Sequence, residues 1–335
     1  MKNKGVIVLA VLLALTLCAS LIVNRFSYTT TEYALDTMCT ITAYGWNSKT
    51  AVTKAVDALE SFEEKISVHR NDSEISLLNR RVKIATRDED IFNMIKTAKM
   101  VTEDTNGAFD ITVKPLVDLW NIKGGGPVPN NEEITNRLSS ISNVDVQVDS
   151  EKEDVFFANS DTKIDLGGIA KGYVADVISD ILVQNGIKSA IIDLGGNVRT
   201  IGKKKGKVWR IGIQDPDSVR GEYFGILDIS DKCVVTSGAY ERYFIEDGKK
   251  YHHIIDPRTG YPADSDITSV SIIADDGAKA DALSTAVYVM GLENGLELLN
   301  SDKYKDVGYI ITDNNHKVYV SENIEFEITN DKYKG

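Results

Sequence analysis

A chain of 335 residues, 42% hydrophobic and 26% charged, has an ordinary globular composition, so a sizeable core is possible and disorder need not be invoked. Its 38 basic and 50 acidic residues give a net charge of −12; residues 1–25 contribute Lys2, Lys4 and Arg25 and no acid, leaving −15 on the remainder. So acidic a body argues against non-specific nucleic-acid binding, which depends on cations neutralising phosphates. Any site for a polyanion must then use a metal, backbone N–H groups or a few placed cations.

Lys2 and Lys4 precede an apolar run of 19 residues, Gly5 to Val23, long enough to span a bilayer as a helix. A cleaved secretory signal and an uncleaved anchor both fit, and both put the body outside the cytoplasm because the lysines favour the inner side. Lipid attachment at Cys18 is a third possibility, although Leu17 is not the small residue such processing uses. The expected organisation is a signal or anchor over 1–25, a polar linker over 26–32 and one domain over 33–335, on the extracytoplasmic face of the cell membrane. Cys39 and Cys233 remain in the body, too few for a disulfide framework and without metal-thiolate spacing; small buried hydrophobes are the better reading.

Thr40–Tyr44 alternates as a half-buried strand does. Lys49–Lys65 repeats Val52, Val56, Leu59 and Phe62 at helical spacing, and Asp88–Thr105 reads as a second amphipathic helix. Gly124–Gly126 with Pro127 and Pro129 mark a loop before a helix over 131–140. Val144–Val148 and Val155–Ala158 read as paired strands and Ile169–Gln184 as a helix. Strands follow at 190–193, 208–213, 223–229, 233–236, 267–273, 307–312 and 317–321, interrupted by a helix over 277–299. Runs of strands, rather than strict alternation with helices, predict an α+β fold.

Four segments carry chemistry. In Asp165-Leu-Gly-Gly-Ile-Ala-Lys-Gly-Tyr, an expected strand ends in a glycine pair at a helix start. That junction offers helix N–H groups to a phosphate, with Asp165 as an acceptor and Lys171 as a cation; a plain strand–turn–helix connection is the alternative. In Ala280-Asp-Ala-Leu-Ser-Thr-Ala, Asp281 and Thr285 share a helix face as i and i+4. These are hard oxygen ligands suited to Mg²⁺ bridging to a nucleotide, although Asp281 could instead cap the helix. Tyr251-His-His-Ile-Ile-Asp-Pro-Arg-Thr-Gly holds two of the four histidines before a tight turn. Its strand register lets one of them line a site: His253 is the candidate base or phosphate partner, and His252 reads as solvent-facing. In Asn106-Gly-Ala-Phe-Asp, Gly107 fits a helix C′ position, and Phe109 and Asp110 could offer a flat surface and an acceptor to a ring, or simply anchor a loop.

Taken in order with Asp36-Thr-Met-Cys-Thr, Ser67 through Asn79, Asp193-Leu-Gly-Gly-Asn and Thr236-Ser-Gly, these segments resemble the ApbE-type FAD:protein FMN transferases from about Tyr33 to Leu299. The resemblance implies a T-fold-like single domain with a nucleotide cleft. FAD would be the substrate, contacted by Met38, His69, Ala108, Phe109, Asp110, Asp165, Lys171 and Ile255. It also implies Mg²⁺ held by the Gly168 carbonyl, Asp281 and Thr285, with Ser284 where some members carry a further aspartate. His69 stands where the family usually has a stacking aromatic, and Cys39 where it has glycine. The implied reaction is attack by a Thr or Ser hydroxyl of an acceptor flavoprotein, itself membrane-associated, on the FMN-side phosphorus, releasing AMP; His253 and Asp256 are the candidate bases. A Mg²⁺-dependent FAD pyrophosphatase and a non-catalytic flavin-binding lipoprotein are the alternatives.

Overall fold

A computed structural model describes residues 26–81 and 83–334. The expected anchor over 1–25, with Cys18, lies outside the described residues; among them no helix is long and apolar enough to cross a membrane.

In chain order the elements are β1 (Ser27–Ala34), β2 (Thr37–Tyr44), α1 (Ser48–Ile66), α2 (Glu74–Asn79), β3 (Ala85–Thr86), α3 (Glu89–Asp104), α4 (Lys114–Trp120), α5 (Asn131–Leu138), β4 (Val146–Asp149), β5 (Asp154–Phe157) and α6 (Ala170–Gln184). They continue as β6 (Ser189–Leu194), β7 (Asn197–Gly202), β8 (Trp209–Gln214), β9 (Tyr223–Ile229), β10 (Cys233–Gly238), β11 (Tyr243–Glu246), β12 (Lys249–His252), β13 (Ile267–Ala274), α7 (Gly277–Met290), α8 (Leu292–Leu299), β14 (Gly308–Asp313), β15 (Val318–Val320) and β16 (Glu325–Ile328). The largest sheet among the described residues has eight strands in the order β1-β2-β6-β7-β10-β13-β14-β15, and every adjacent pair is antiparallel. The expected α+β class is therefore observed.

Alternation along the strands sends side chains to two different cores. Val235 and Val270 face a core shared with α3 and α7, while Ile41 and Ile192 face one shared with α1 and α6. Val198, Val234 and Ile273 point the other way, onto a three-stranded sheet of order β16-β9-β8. The helices thus cover one face of the large sheet and the small sheet covers part of the other.

Two expectations fail here. Residues 26–32 are not a linker: β1 starts at Ser27 and pairs with β2 in unbroken register from Ser27–Tyr44 to Ala34–Thr37. Its Thr-rich polarity belongs to a strand at the edge of the sheet, where Thr29–Thr42 and Thr31–Thr40 hydroxyl pairs bridge the two strands. Helix 277–299 is two helices, because Gly291 adopts φ +79 and ends α7 at Met290.

The feature that positions the site is a step in the large sheet. β7 and β10 pair only through Val198–Val234 and Arg199–Cys233. The Gly195–Gly196 turn then ends the β6–β7 hairpin, while β10 runs on to Gly238 without a partner on that side. Beneath the step, α6 and α7 lie side by side.

Candidate functional site

A cleft of about 1070 Å³ opens at this step. Gly195, Asn197, Thr236 and Ser237 line its sheet side, and Gly168, Lys171, Asp281 and Thr285 its helix side. The volume is at the upper end of small-molecule sites and suits a dinucleotide better than a mononucleotide.

Its helix wall depends on a close crossing of α6 and α7. A methyl group on Gly172 would overlap the Gly277 carbonyl and press on the Asp281 Cβ, so only glycine lets the backbones meet. At the crossing the Asp281 carboxylate is 2% exposed; its Oδ2 accepts from the Gly172 N–H at 2.9 Å and its Oδ1 lies 3.5 Å from Lys171 Nζ. Asp281 therefore does not cap its own helix. That role falls to Asp276, whose side chain accepts from the Lys279 N–H. Asp281 instead caps α6, taking an N–H that the sequence had offered to a phosphate. The α7 N-terminus is tied to α6 a second time, as Asp176 Oδ2 accepts from the Gly277 N–H at 2.6 Å and Oδ1 sits 3.2 Å from Arg199 Nη1. Burial pushes the Asp176 carboxyl up to about 6 against the pull of Arg199.

One turn along α7 from Asp281, Thr285 faces the cleft with its hydroxyl 3.3 Å from Ser237 Oγ. Ser284 turns away from the metal position the family resemblance suggested: it is fully buried, donates to the Asp281 carbonyl and pairs with Ser237 at 2.8 Å. Gly168 completes the cluster. A Cβ there would come within 3.0 Å of the Phe109 ring, so glycine keeps the Gly168 backbone open toward Thr285. Phe109 lines the cleft but is only 5% exposed, so little of its ring is open to it. Among the described residues no three His, Cys, Asp or Glu side chains converge on a metal position.

The loop before α6 is held by a device the sequence reading missed. No strand forms at 162–166; the Asn79 amide acts as one, accepting from the Ile164 N–H and donating to the Ile164 carbonyl, both at 2.8 Å. Asp165 then donates its N–H to the Ile111 carbonyl and accepts from Gly167 through Oδ1, leaving Oδ2 beside the cleft. Asp110, buried, accepts twice from Thr112; burial raises its pKa, partly offset by those bonds. Ala108 and His69 line the cleft. The α3 end preceding them is a Schellman turn with Asn106 (φ +49) at C′ and Gly107 one residue further on, its N–H reaching Thr102.

Of the two histidines, His252 departs from its expected solvent-facing place. His252 is buried, with Nε2 donating to the Ala263 carbonyl at 3.0 Å and Nδ1 accepting from the Ile254 N–H. His253 faces the cleft, the side on which the strand register had put it. Its Nδ1 lies 3.2 Å from the Arg242 carbonyl, which can only accept, so the proton sits on Nδ1 and the Nε2 lone pair is free. The surrounding protein pushes its pKa down to about 4, chiefly by desolvation, although cleft water still reaches the ring and moderates the effect.

Asp256 is not a base in the cleft. Its two oxygens clamp Arg258 Nε and Nη2 at 2.9 Å each, its backbone closes the turn through Gly260 and Tyr261, and it does not line the cavity. That turn rests on Trp120, whose Nε1 donates to the Gly260 carbonyl at 2.7 Å, and it presents Ile255 to the cleft. Met38 is also misplaced: it is 51% exposed on the outer face of β2, while Leu35, Asp36 and Thr37 next to it line the cavity. Cys39 points inward at the Ala34 carbonyl and adds no bulk to the cleft. Asp36 is an unforeseen rim residue, accepting from Tyr33, Lys123 and Arg242; burial works against its ionisation, but these donors outweigh it and hold its pKa low.

Comparisons with known proteins agree with this geometry. The ApbE family model matches residues 35–311. A protein of Klebsiella pneumoniae (strain 342), named FAD:protein FMN transferase, is 35% identical over 272 residues, covering 80% of this chain and 84% of its own. A Treponema pallidum (strain Nichols) protein of the same name is 34% identical over 307 residues, covering 85% of each. Among solved structures, the ApbE protein of Thermotoga maritima superposes with a TM-score of 0.81 at 34% identity, covering 89% of this chain and 97% of its own. The flavin transferase ApbE of Vibrio cholerae gives 0.77 at 29% identity, covering 89% and 98%.

Proposed function

The chain belongs to the ApbE family, and on that premise we infer that it transfers FMN from FAD to a Thr or Ser hydroxyl of an acceptor flavoprotein, with Mg²⁺ at the α6–α7 crossing. One observation carries the reading. A buried carboxylate, Asp281, and a hydroxyl, Thr285, share a helix face in a dinucleotide-sized cleft, beside the cation Lys171.

Asp281, Thr285 and the Gly168 carbonyl fit Mg²⁺ by their chemistry, since all three are hard oxygens and Asp281 already draws an ammonium group to its cleft side. Mg²⁺, when bound, would neutralise the pyrophosphate and the charge that grows on the departing phosphate. Lys171 adds a second positive charge in a protein that has few to spare. Asp165, Asp110 and Ile255 line the walls against which the flavin and adenine parts of FAD would be oriented.

In the reaction, the acceptor hydroxyl oxygen bonds to the phosphorus on the FMN side of the pyrophosphate. The bond from that phosphorus to the bridging oxygen breaks, and AMP leaves with the oxygen. His253 Nε2 takes the hydroxyl proton through its free lone pair, which the lowered pKa keeps unprotonated at neutral pH at some cost in basicity.

Incubating the chain with FAD, Mg²⁺ and co-expressed acceptor candidates, then reading intact masses, tests this. An FMN adduct with equimolar AMP supports transfer; AMP without an adduct would make the protein an FAD pyrophosphatase. The Lys2, Lys4 and apolar 5–23 pattern supports a tether that holds this chemistry on the extracytoplasmic face, close to membrane-associated acceptors. Protease accessibility on intact spheroplasts checks it, and a wholly protected protein would reject it.

A further inference from the structure

The cleft is longer than the cluster around Asp281 requires, and its far wall is a strand edge. Arg210, Ile211, Gly212, Ile213 and Gln214, consecutive along β8, all line the cavity. Their side chains alternate between faces: Ile211 and Ile213 are buried in the core beneath, while Arg210 and Gly212 are exposed. A cavity lying on one face of the strand would be lined by every second residue. Contact with five in a row means that the cavity meets β8 edge-on, at its main-chain groups.

That edge is open. β8 ends the three-stranded sheet and pairs only with β9; among the described residues no other main-chain or side-chain group bonds to the β8 backbone. Its protection is partial: Arg210 and an irregularity at Ile213/Gln214 mark the strand, but it has no proline and no inward-pointing charge. Gly212 sits mid-strand, and the half-exposed Tyr223 side chain of β9 fills the space a side chain there would take, so this face of β8 is covered while its edge stays open.

We propose that an extended segment of the acceptor protein adds to β8 as a further strand and so delivers its Thr or Ser hydroxyl along the cleft toward the Asp281–Thr285 end. The proposal rests on the reading that the acceptor is a polypeptide. Main-chain pairing reads the backbone of the incoming segment and fixes its direction along the cleft. It also keeps the incoming chain apart from FAD, whose family contacts lie on the opposite, helix-side wall.

Hydrogen exchange tests the idea directly. The probe is a short synthetic peptide centred on the residue that mass spectrometry maps as flavinylated in the acceptor. Added to the chain without Mg²⁺, so that no turnover occurs, it should slow exchange at alternate amides of 209–214 by about tenfold or more. FAD alone should leave those amides unchanged. Peptide binding without protection of β8, no peptide binding, or protection by FAD alone would each overturn the proposal. A second measurement uses the working enzyme. N-methylation along the peptide should cut kcat/KM about fivefold to tenfold at every second residue, the cost of one lost ladder bond each, and little in between. A flat profile with transfer intact sinks the docking mode alone, whereas protected β8 amides with no transfer under any condition would sink the transferase reading alone.

Discussion

Gly172 and Gly277 face each other across the α6–α7 crossing with no room for a methyl group on either backbone. Close contact there lets the Asp281 carboxylate, carried by one helix, accept the first-turn Gly172 N–H of the other. The crossing is thus both a packing point and the frame of the site.

Gly172→Ala should be among the most damaging single-methyl changes in the chain. Overpacking of side chains costs about 1–3 kcal/mol, and here the clash is with backbone, so a loss of about 3 kcal/mol or more is expected. Urea denaturation measures it; an unchanged midpoint would show that the helices separate freely.

Asp281→Asn preserves an acceptor for Gly172 but removes the charge. The fold should hold within about 1 kcal/mol, while FMN transfer falls by about a hundredfold or more, as for other groups that stabilise developing charge. The response of the melting temperature to added Mg²⁺ with FAD should vanish in the variant. Retention of wild-type turnover would remove Asp281 from the machinery.

His253 gives a pH signature. With its pKa lowered to about 4, the ring is unprotonated at neutral pH, so transfer should persist below pH 6 and fail as pH approaches 4. The linkage runs in the matching direction. The unfolded ring takes a proton near 6.5 and the folded one only near 4, so this group costs stability as pH falls between those values, with no further cost below. His253→Gln should abolish that part of the acid sensitivity and slow transfer about 10²- to 10⁴-fold at pH 7 while FAD still binds. Rate–pH profiles and melts at pH 7 and pH 4.5 report both.

Asp256→Ala should behave as a structural change. Losing the Arg258 clamp and its capped N–H should cost about 1–3 kcal/mol, with transfer retained within about tenfold once folded protein is counted. A hundredfold loss in a fully folded variant would return Asp256 to the chemistry.

What could be read from the sequence follows the strength of its periodicities. The apolar repeat Val52-Val56-Leu59-Phe62 gave α1, and an aromatic and aliphatic stretch from Tyr223 to Ile229 gave β9 with its observed ends. Asp281 and Thr285 were legible because i and i+4 spacing survives any tertiary arrangement. β1 was not, since the threonines of an edge strand look like those of a linker, and β12 was hidden by its lysines. Adjacent candidates were the hardest. His252 and His253, or His253 and Asp256, differ only in which way the strand end and turn present them, and that is decided by distant groups: the Arg242 carbonyl, the Ala263 carbonyl and the Arg258 guanidinium. Ser237 and Asn79 lie in segments that carry the resemblance, but their roles were not legible for a related reason, as each acts through a hydrogen bond to a segment 47 or 85 residues away.

The seam between β7 and β10 has a consequence for the unliganded enzyme. Two rungs, Val198–Val234 and Arg199–Cys233, with the Thr200 N–H to Lys232 carbonyl bond beside them, make up the strand pairing that joins the halves of the large sheet among the described residues. A molecule seated in the step touches both halves and acts as the missing rungs, so occupancy and cohesion are coupled by mass action. Bound FAD should therefore raise the resistance of this line to local opening as its concentration exceeds its dissociation constant.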